Sequence, residues 1–193
     1  IFTADHGEML GDHHMSQKNL FFEGSAHVPL LIMPPQGRSL PQNISVEAPT
    51  DLVDIYPTIL AMAGLSSPVS VSGKNLLEPV PMDRMFFGNS LNKNFCVMEE
   101  KVKLVYSAVG DHVLLFDLNT DPMEQHNLAE DPAWQERKAK LWKLLLEHTA
   151  QYTPEALDEK GQFLTYEAPH FPGDVPGRWF GFHYHDYSVD TFH

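Results

Sequence analysis

With one cysteine, Cys96, the chain has no pair from which to form an internal disulfide, and its redox compartment stays open. Positive charge is scarce too: 13 Lys and Arg stand against 26 Asp and Glu, a formal net charge of −13. That balance argues against nucleic acid as a partner, because neutralising phosphates takes a basic face. An anionic small molecule would have to be held by local positive charge against an unfavourable overall field. No apolar run approaches the roughly 20 residues that a helix needs to cross a bilayer, so no membrane span is expected. An initiator Met and a signal peptide are also missing, and Ile1 already belongs to a strand-like pattern. The simplest expectation is that residues 1–193 are the C-terminal part of a longer polypeptide. A periplasmic or secreted location is then plausible, with a cytoplasmic one still open.

What the chain does contain is ordinary globular material, 42% hydrophobic and 20% charged over 193 residues. Residues 28–33, Val-Pro-Leu-Leu-Ile-Met, read as a strand buried on both faces and stopped by Pro34-Pro35, with an exposed loop over residues 36–43. Thr50 is placed to cap a helix whose apolar positions run from Leu52 to Met62, with Pro57 kinking it or starting its first turn and Gly64 closing it. Asp54 within it reads as a cap or surface group. From Met85 onward, short apolar runs around residues 85–87, 95–98, 103–106 and 113–117 predict hairpins, with Gly88-Asn89 and Gly110-Asp111 as turns. Cys96 lies in the second run and reads as a small buried hydrophobe. Asp131 and Pro132 then introduce a final helix to about Tyr152, with Trp134, Leu141, Trp142, Leu145 and Leu146 as its buried stripe.

The chemistry concentrates near the start. Asp5 and His6 end the apolar run Ile1-Phe2-Thr3-Ala4, and Lys18 follows twelve positions after the imidazole. A carboxylate and an imidazole side by side at a strand's end can reach one divalent cation. The lysine offers a compact charge to an anion held on that cation. Glu8, Asp12 and His14 read as solvent-facing.

The full pattern is Asp5-His6-Gly7, three residues, Gly11-Asp12-His13, four residues, Lys18, and it continues Phe21-Phe22-Glu23-Gly24-Ser25-Ala26-His27-Val28-Pro29-Leu30. This block resembles the second half of a sulfatase active site in the alkaline-phosphatase-like superfamily. Three later segments resemble the same family: 53–64, Ser72-Gly73-Lys74-Asn75-Leu76-Leu77, and Leu118-Asn119-Thr120-Asp121-Pro122-Met123-Glu124-Gln125-His126-Asn127-Leu128. The resemblance covers residues 1 to about 152. It implies an α/β fold: the C-terminal portion of an α/β/α sandwich (1–82) and a small α+β subdomain with an antiparallel sheet and a C-terminal helix (83–152). An aromatic- and His-rich extended tail (153–193) follows.

By that resemblance the protein is a sulfuric ester hydrolase acting on a sulfate ester. Asp5 and His6 are its metal ligands, Lys18 is its catalytic and substrate-binding cation, and His13 is a supporting catalytic group. The metal expected first is Ca²⁺, with Mn²⁺ or Zn²⁺ admitted by the imidazole. The family's nucleophile, a formylglycine made within a Cys/Ser-x-Pro/Ala-x-Arg motif, is expected upstream. Cys96 is followed by Val97-Met98-Glu99-Glu100 and lacks that motif. The chain by itself is therefore expected to be inactive, and to self-associate through a truncated sheet edge or its aromatic tail. Two other readings stay open: a phosphonate monoester or phosphodiester hydrolase of the same superfamily, which Gly11-Asp12-His13-His14 fits, and a non-catalytic anion-binding remnant. In the tail, His183-Tyr184-His185-Asp186 invites a metal-site reading, against the blander one of aromatic docking by Phe171, Trp179, Phe180, Phe182, Tyr184, Tyr187 and Phe192.

Overall fold

The computed structural model describes residues 1–15, 18, 20–33 and 43–167, apart from the side chain of His14. The loop expected at 36–43, save Asn43, and the tail's His and aromatic cluster beyond residue 167 lie outside the described residues. The chain divides into two compact units, one of Ile1–Asp5 and Val28–Phe86, the other of His6–His27 and everything from Phe87 on.

In the first unit, β1 (Phe2–Thr3) pairs antiparallel with β2 (Leu30–Leu31), Phe2 opposite Leu31. Phe2 and Leu31 are each 64% exposed, so the strand expected to be buried on both faces is not buried among the described residues. A pair of two-residue strands has too little surface to bury either face by itself. The predicted helix begins as a 3-10 turn at Leu52–Asp54 and continues as α2 (Ile55–Met62), with Gly64 at φ 74° beyond its end. Pro57 sits in the first turn of α2, where its missing N–H costs nothing. Its cap is Asp51 rather than Thr50: Asp51 and Asp54 form a reciprocal capping box.

Asp54 is no surface group. It is fully buried, accepts two hydrogen bonds from the Arg84 guanidinium, and also accepts from the backbone N–H groups of Asp51 and Lys74. Burial pushes its pKa up, but the Arg84 pair and the two backbone donors outweigh that and hold the carboxyl below the usual range. Close approach also explains Gly73, where a Cβ would fall on the carbonyl of Val53.

The second unit is built on a four-stranded sheet in sequential order: β3 (Phe86–Ser90, entering at Phe87), β4 (Asn94–Glu99), β5 (Val102–Ser107) and β6 (His112–Asp117). Gly110-Asp111 turns β5 into β6 as predicted, both at positive φ. Gly88-Asn89 instead lies inside β3, and the turn falls at Leu91–Lys93. Gly88 is needed there because the Phe21 ring occupies the space of a Cβ. Register sets Val97, Leu104 and Leu115 in one row and Met98, Lys103 and Phe116 in the next. Successive residues point to opposite faces, so these rows face opposite sides of the sheet.

One face carries Phe95, Val97, Leu104, Tyr106 and Leu115. It packs with Leu141 and Leu145 of α3 (Gln135–Tyr152), the helix predicted from its stripe and introduced by Asp131, whose Oδ1 accepts the Ala133 N–H at 2.8 Å. Phe163, from the chain beyond α3, completes this core at 4.6 Å from Phe95 and 4.7 Å from Tyr106. The other face is covered by the 9–27 segment, described below. Cys96 is completely buried, and burial lifts its thiol to a pKa of about 12, so it behaves as the inert hydrophobe expected.

His148 on α3 stacks on Phe87, centroids 4.0 Å apart, and burial lowers its pKa below 6.5. A group whose folded pKa lies below its unfolded value stabilises the fold when neutral, and that contribution disappears as pH falls through the folded value. We expect melting temperature to drop on acidification below about pH 6.5, and His148→Gln to shrink that drop. Identical pH profiles for the two proteins would refute it.

Candidate functional site

Asp5 follows β1 in the first unit and is exposed, while His6 opens the second unit and is half-buried. The peptide after His6 is gripped at once. Gly7 N–H donates to the Ser25 carbonyl at 2.7 Å and Glu8 N–H to the Gly24 carbonyl at 2.9 Å. A Cβ on Gly7 would overlap the Gly24 carbonyl oxygen, which accounts for the glycine of the Asp-His-Gly triplet by close backbone approach. Gly7→Ala should therefore lower melting temperature by several degrees, since backbone must shift to admit one methyl. A Gly7→Ala protein melting with the wild type would contradict that packing.

Lys18 meets His6. Its Nζ donates to His6 Nε2 at 2.7 Å, across twelve residues of chain. An ammonium can only donate, so Nε2 presents its lone pair, and the ring proton sits on Nδ1, which donates to the Gly7 carbonyl at 2.7 Å. These two bonds fit the tautomer with its proton on Nδ1 and a lone pair on Nε2, the form in which a histidine ligates a metal through Nε2. Among the described residues no cluster of three or more His, Cys, Asp or Glu side chains could hold a metal ion. Asp5 and His6 remain two candidate donors for a sphere that needs more.

His13 lies apart from that pair. At φ 54° it turns its ring onto Phe22, stacked at 4.1 Å, and its Nε2 lies 3.2 Å from the Met123 carbonyl. It lines a cleft of about 390 Å³ on the second sheet face, with Met15, Phe22, Leu114, Phe116 and Met123 as its apolar walls.

Residues that sequence reasoning assigned no role hold this region together. The first-turn residue of the short helix α1 (Glu23–Ala26) is Glu23. Lys103, on β5 and 2% exposed, donates to Glu23 Oε1 at 2.5 Å and to the Phe21 carbonyl at 2.7 Å, and pairs with Glu124 Oε1 at 2.7 Å. Glu124 Oε2 in turn accepts the Glu23 N–H at 2.7 Å. Burial works against charge on Lys103, yet the Glu124 and Glu23 carboxylates outweigh it and raise its pKa, keeping the ammonium charged at neutral pH. Ser25, 2% exposed, donates its hydroxyl to the Lys18 carbonyl at 2.6 Å. One clue was available: a lone lysine inside the apolar run 102–106 must find a partner if that run is buried. Asn127 accepts from both Leu115 N–H and Ala129 N–H and so extends the edge of β6.

Comparison with known proteins gives a consistent picture. Residues 11–151, well over half the chain, match the family model described as N-sulphoglucosamine sulphohydrolase, C-terminal. Arylsulfatase K of Bos taurus is 35% identical over 67% of this chain and 27% of its own length, and choline-sulfatase of Rhizobium meliloti (strain 1021) is 34% identical over 87% and 35%. The phosphonate monoester hydrolase of Agrobacterium radiobacter superposes with a TM-score of 0.60 at 33% identity, covering 83% of this chain and 38% of that one. The chain thus spans about a quarter to a third of the curated relatives it matches.

Proposed function

The chain belongs to the sulfatases of the alkaline-phosphatase-like superfamily, as a C-terminal region of their α/β fold, and on that premise we propose that it carries part of the active site of a sulfuric ester hydrolase. The observation that carries this reading is the 2.7 Å contact between Lys18 Nζ and His6 Nε2. It brings the lysine and the imidazole together from twelve residues apart, and a metal bound at Nε2 would take over the lone pair that the Lys18 ammonium holds. Asp5 and His6 are the ligands of a divalent ion, Ca²⁺ first and Mn²⁺ or Zn²⁺ as alternatives, with the remaining ligands supplied from outside these 193 residues. When bound, the ion polarises the sulfuryl oxygens and counters the charge that builds on them in the transition state. Lys18 places an ammonium against the same oxygens. His13 has a supporting role near the substrate or the metal, or a purely structural one, and its stacking on Phe22 and contact with the Met123 carbonyl favour the structural role. The nucleophile, a formylglycine, likewise comes from outside the chain, and the 193 residues alone should hydrolyse no sulfate ester.

A second reading, phosphonate monoester hydrolysis, is favoured by the 33% identity to the Agrobacterium radiobacter enzyme. In a full-length protein containing this chain, the ratio of kcat/KM for an aryl sulfate to that for the matching aryl phosphonate decides between them. A ratio well above one is expected, and a ratio well below one would reverse the assignment. For the metal, Asp5→Ala and His6→Ala should each weaken divalent binding about tenfold or more. Full metal occupancy in both variants after dialysis against a weak chelator would remove these residues from the ligand set.

A further inference from the structure

We propose that Ser25 is the positioning residue that sets the distance between the His6 imidazole and the Lys18 ammonium, and that the buried Lys103–Glu23–Glu124 cluster holds Ser25 in place from the sheet. This deepens the reading of His6 and Lys18 as site residues and rests on it.

Ser25 bonds both arms of the site. Its carbonyl accepts the N–H of Gly7, next to His6, at 2.7 Å, and its hydroxyl donates to the carbonyl of Lys18 at 2.6 Å. The loop between those arms has bonds of its own, Gly11 N–H to the Met15 carbonyl and Asp12 N–H to the Met9 carbonyl, but both close before Lys18. Lys18 is exposed and its side chain is long, so where its ammonium can reach depends on where its backbone is anchored. The Ser25 hydroxyl supplies that anchor.

A four-residue helix does not hold its own shape in water, so α1 needs support from outside. The sheet provides it. Glu124 takes the Glu23 N–H at 2.7 Å, and Lys103 grips both the Glu23 carboxylate and the Phe21 carbonyl. The series runs from β5 through Lys103 to Glu23 by hydrogen bond, along α1 through Gly24 to Ser25, and from the Ser25 hydroxyl to Lys18 by hydrogen bond. Such a buried ion cluster is a poor way to gain stability and a good way to fix position. Lys18 itself is left exposed, as a group that meets substrate must be.

The test uses a full-length protein containing this chain, with Ser25→Ala, Ser25→Cys and Ser25→Thr. Misplacing a charge by about 1 Å can cost on the order of 10²-fold in rate, so kcat on an aryl sulfate should fall about 10- to 100-fold in Ser25→Ala with KM within about twofold. Ser25→Cys, near in size but a weak donor, should fall between, and Ser25→Thr, which keeps the hydroxyl, should recover most of the loss. A second readout needs no turnover. With metal chelated, the rate at which acetic anhydride acylates Lys18, followed by peptide mass spectrometry, should rise severalfold in Ser25→Ala and Ser25→Cys and stay at the wild-type value in Ser25→Thr.

Wild-type kcat and wild-type labelling in Ser25→Ala would overturn the proposal. If that variant fails to fold, the same pair of results in Ser25→Cys overturns it. Should the wild type turn over no sulfate ester, the functional reading fails while the labelling still decides the role of Ser25.

Discussion

Replacing Lys103 by Met should be the most damaging single change to the fold, lowering stability by about 3–5 kcal/mol. The ammonium is buried between two carboxylates, Glu23 and Glu124, and bonds the Phe21 carbonyl as well. Methionine matches its length but leaves both carboxylates facing each other without a counter-charge, and leaves the carbonyl without its donor. Breaking a buried ion pair from one side costs far more than the intact pair contributes. For a chain of this size such a loss moves the melting temperature down on the order of 10 °C. Because the Lys103 pKa is raised, its contribution is complete at all pH values below the unfolded value of 10.5 and disappears only as pH rises through the folded one. The contribution of Lys103 itself should therefore be constant from pH 6 to 9, and the penalty in the variant should ease toward the acid end as the two unpaired carboxylates take up a proton. Adding Glu124→Gln should recover part of the loss, since the amide oxygen can still accept the Glu23 N–H without adding a charge. A Lys103→Met protein that melts within about 2 °C of the wild type would show that the cluster carries no such weight.

The largest expected effect on chemistry is that of Lys18→Ala, which should lower kcat by about 10²–10³ while the melting temperature stays put. Lys18 is exposed, so deleting its side chain removes little packing. Among the described residues its ammonium bonds the Nε2 of His6, and that nitrogen can take a metal or water instead. An interaction realised mainly in the transition state appears in kcat rather than KM. Lys18→Arg should not restore activity, because a planar guanidinium cannot put a point charge at the same place. Steady-state kinetics on an aryl sulfate in a full-length protein are the measurement. Unchanged catalytic efficiency in Lys18→Ala would end the assignment of this residue.

The two experiments separate the links of one series. Lys103 acts on the fold, Lys18 on the chemistry, and Ser25 lies between them. A Lys103→Met protein is expected to lose stability first and kcat with it. Lys18→Ala is expected to lose only kcat.

Much of this molecule could be read along the chain. The runs around residues 95, 104 and 115 become strands because their apolar positions and the short turns between them act within a few residues of one another. A 3-10 turn at Pro132–Trp134 begins where Asp131 and Pro132 place the start and runs into α3, whose expected stripe is buried at Leu141 and Leu145 and half-buried at Trp134, Trp142 and Leu146. Asp5, His6 and Lys18 stand out by residue type and separation alone, and so does the family to which the chain belongs. Where local reasoning misplaced something, the cause was again local. Asp51 beside Thr50 and the turn at Leu91–Lys93 each compete with a neighbour of equal turn or capping tendency.

What only the tertiary structure decided is which distant residues meet. Glu23 and Lys103 are 80 positions apart, and Glu23 and Glu124 are 101. No periodicity spans such separations, since period and turn chemistry report on one element at a time. Whether Gly88 serves as a turn or as space for the Phe21 ring depends on which segment lies over the sheet. Whether Asp54 is a surface cap or a buried partner of Arg84 depends on a residue 30 positions away. Burial makes these pairings obligatory, because a charge removed from water must find its counter-charge wherever the fold brings one. The sequence by itself determined the elements, the family and the chemical groups at the head of the chain. The packing of the 6–27 segment on the sheet decided how those groups are held.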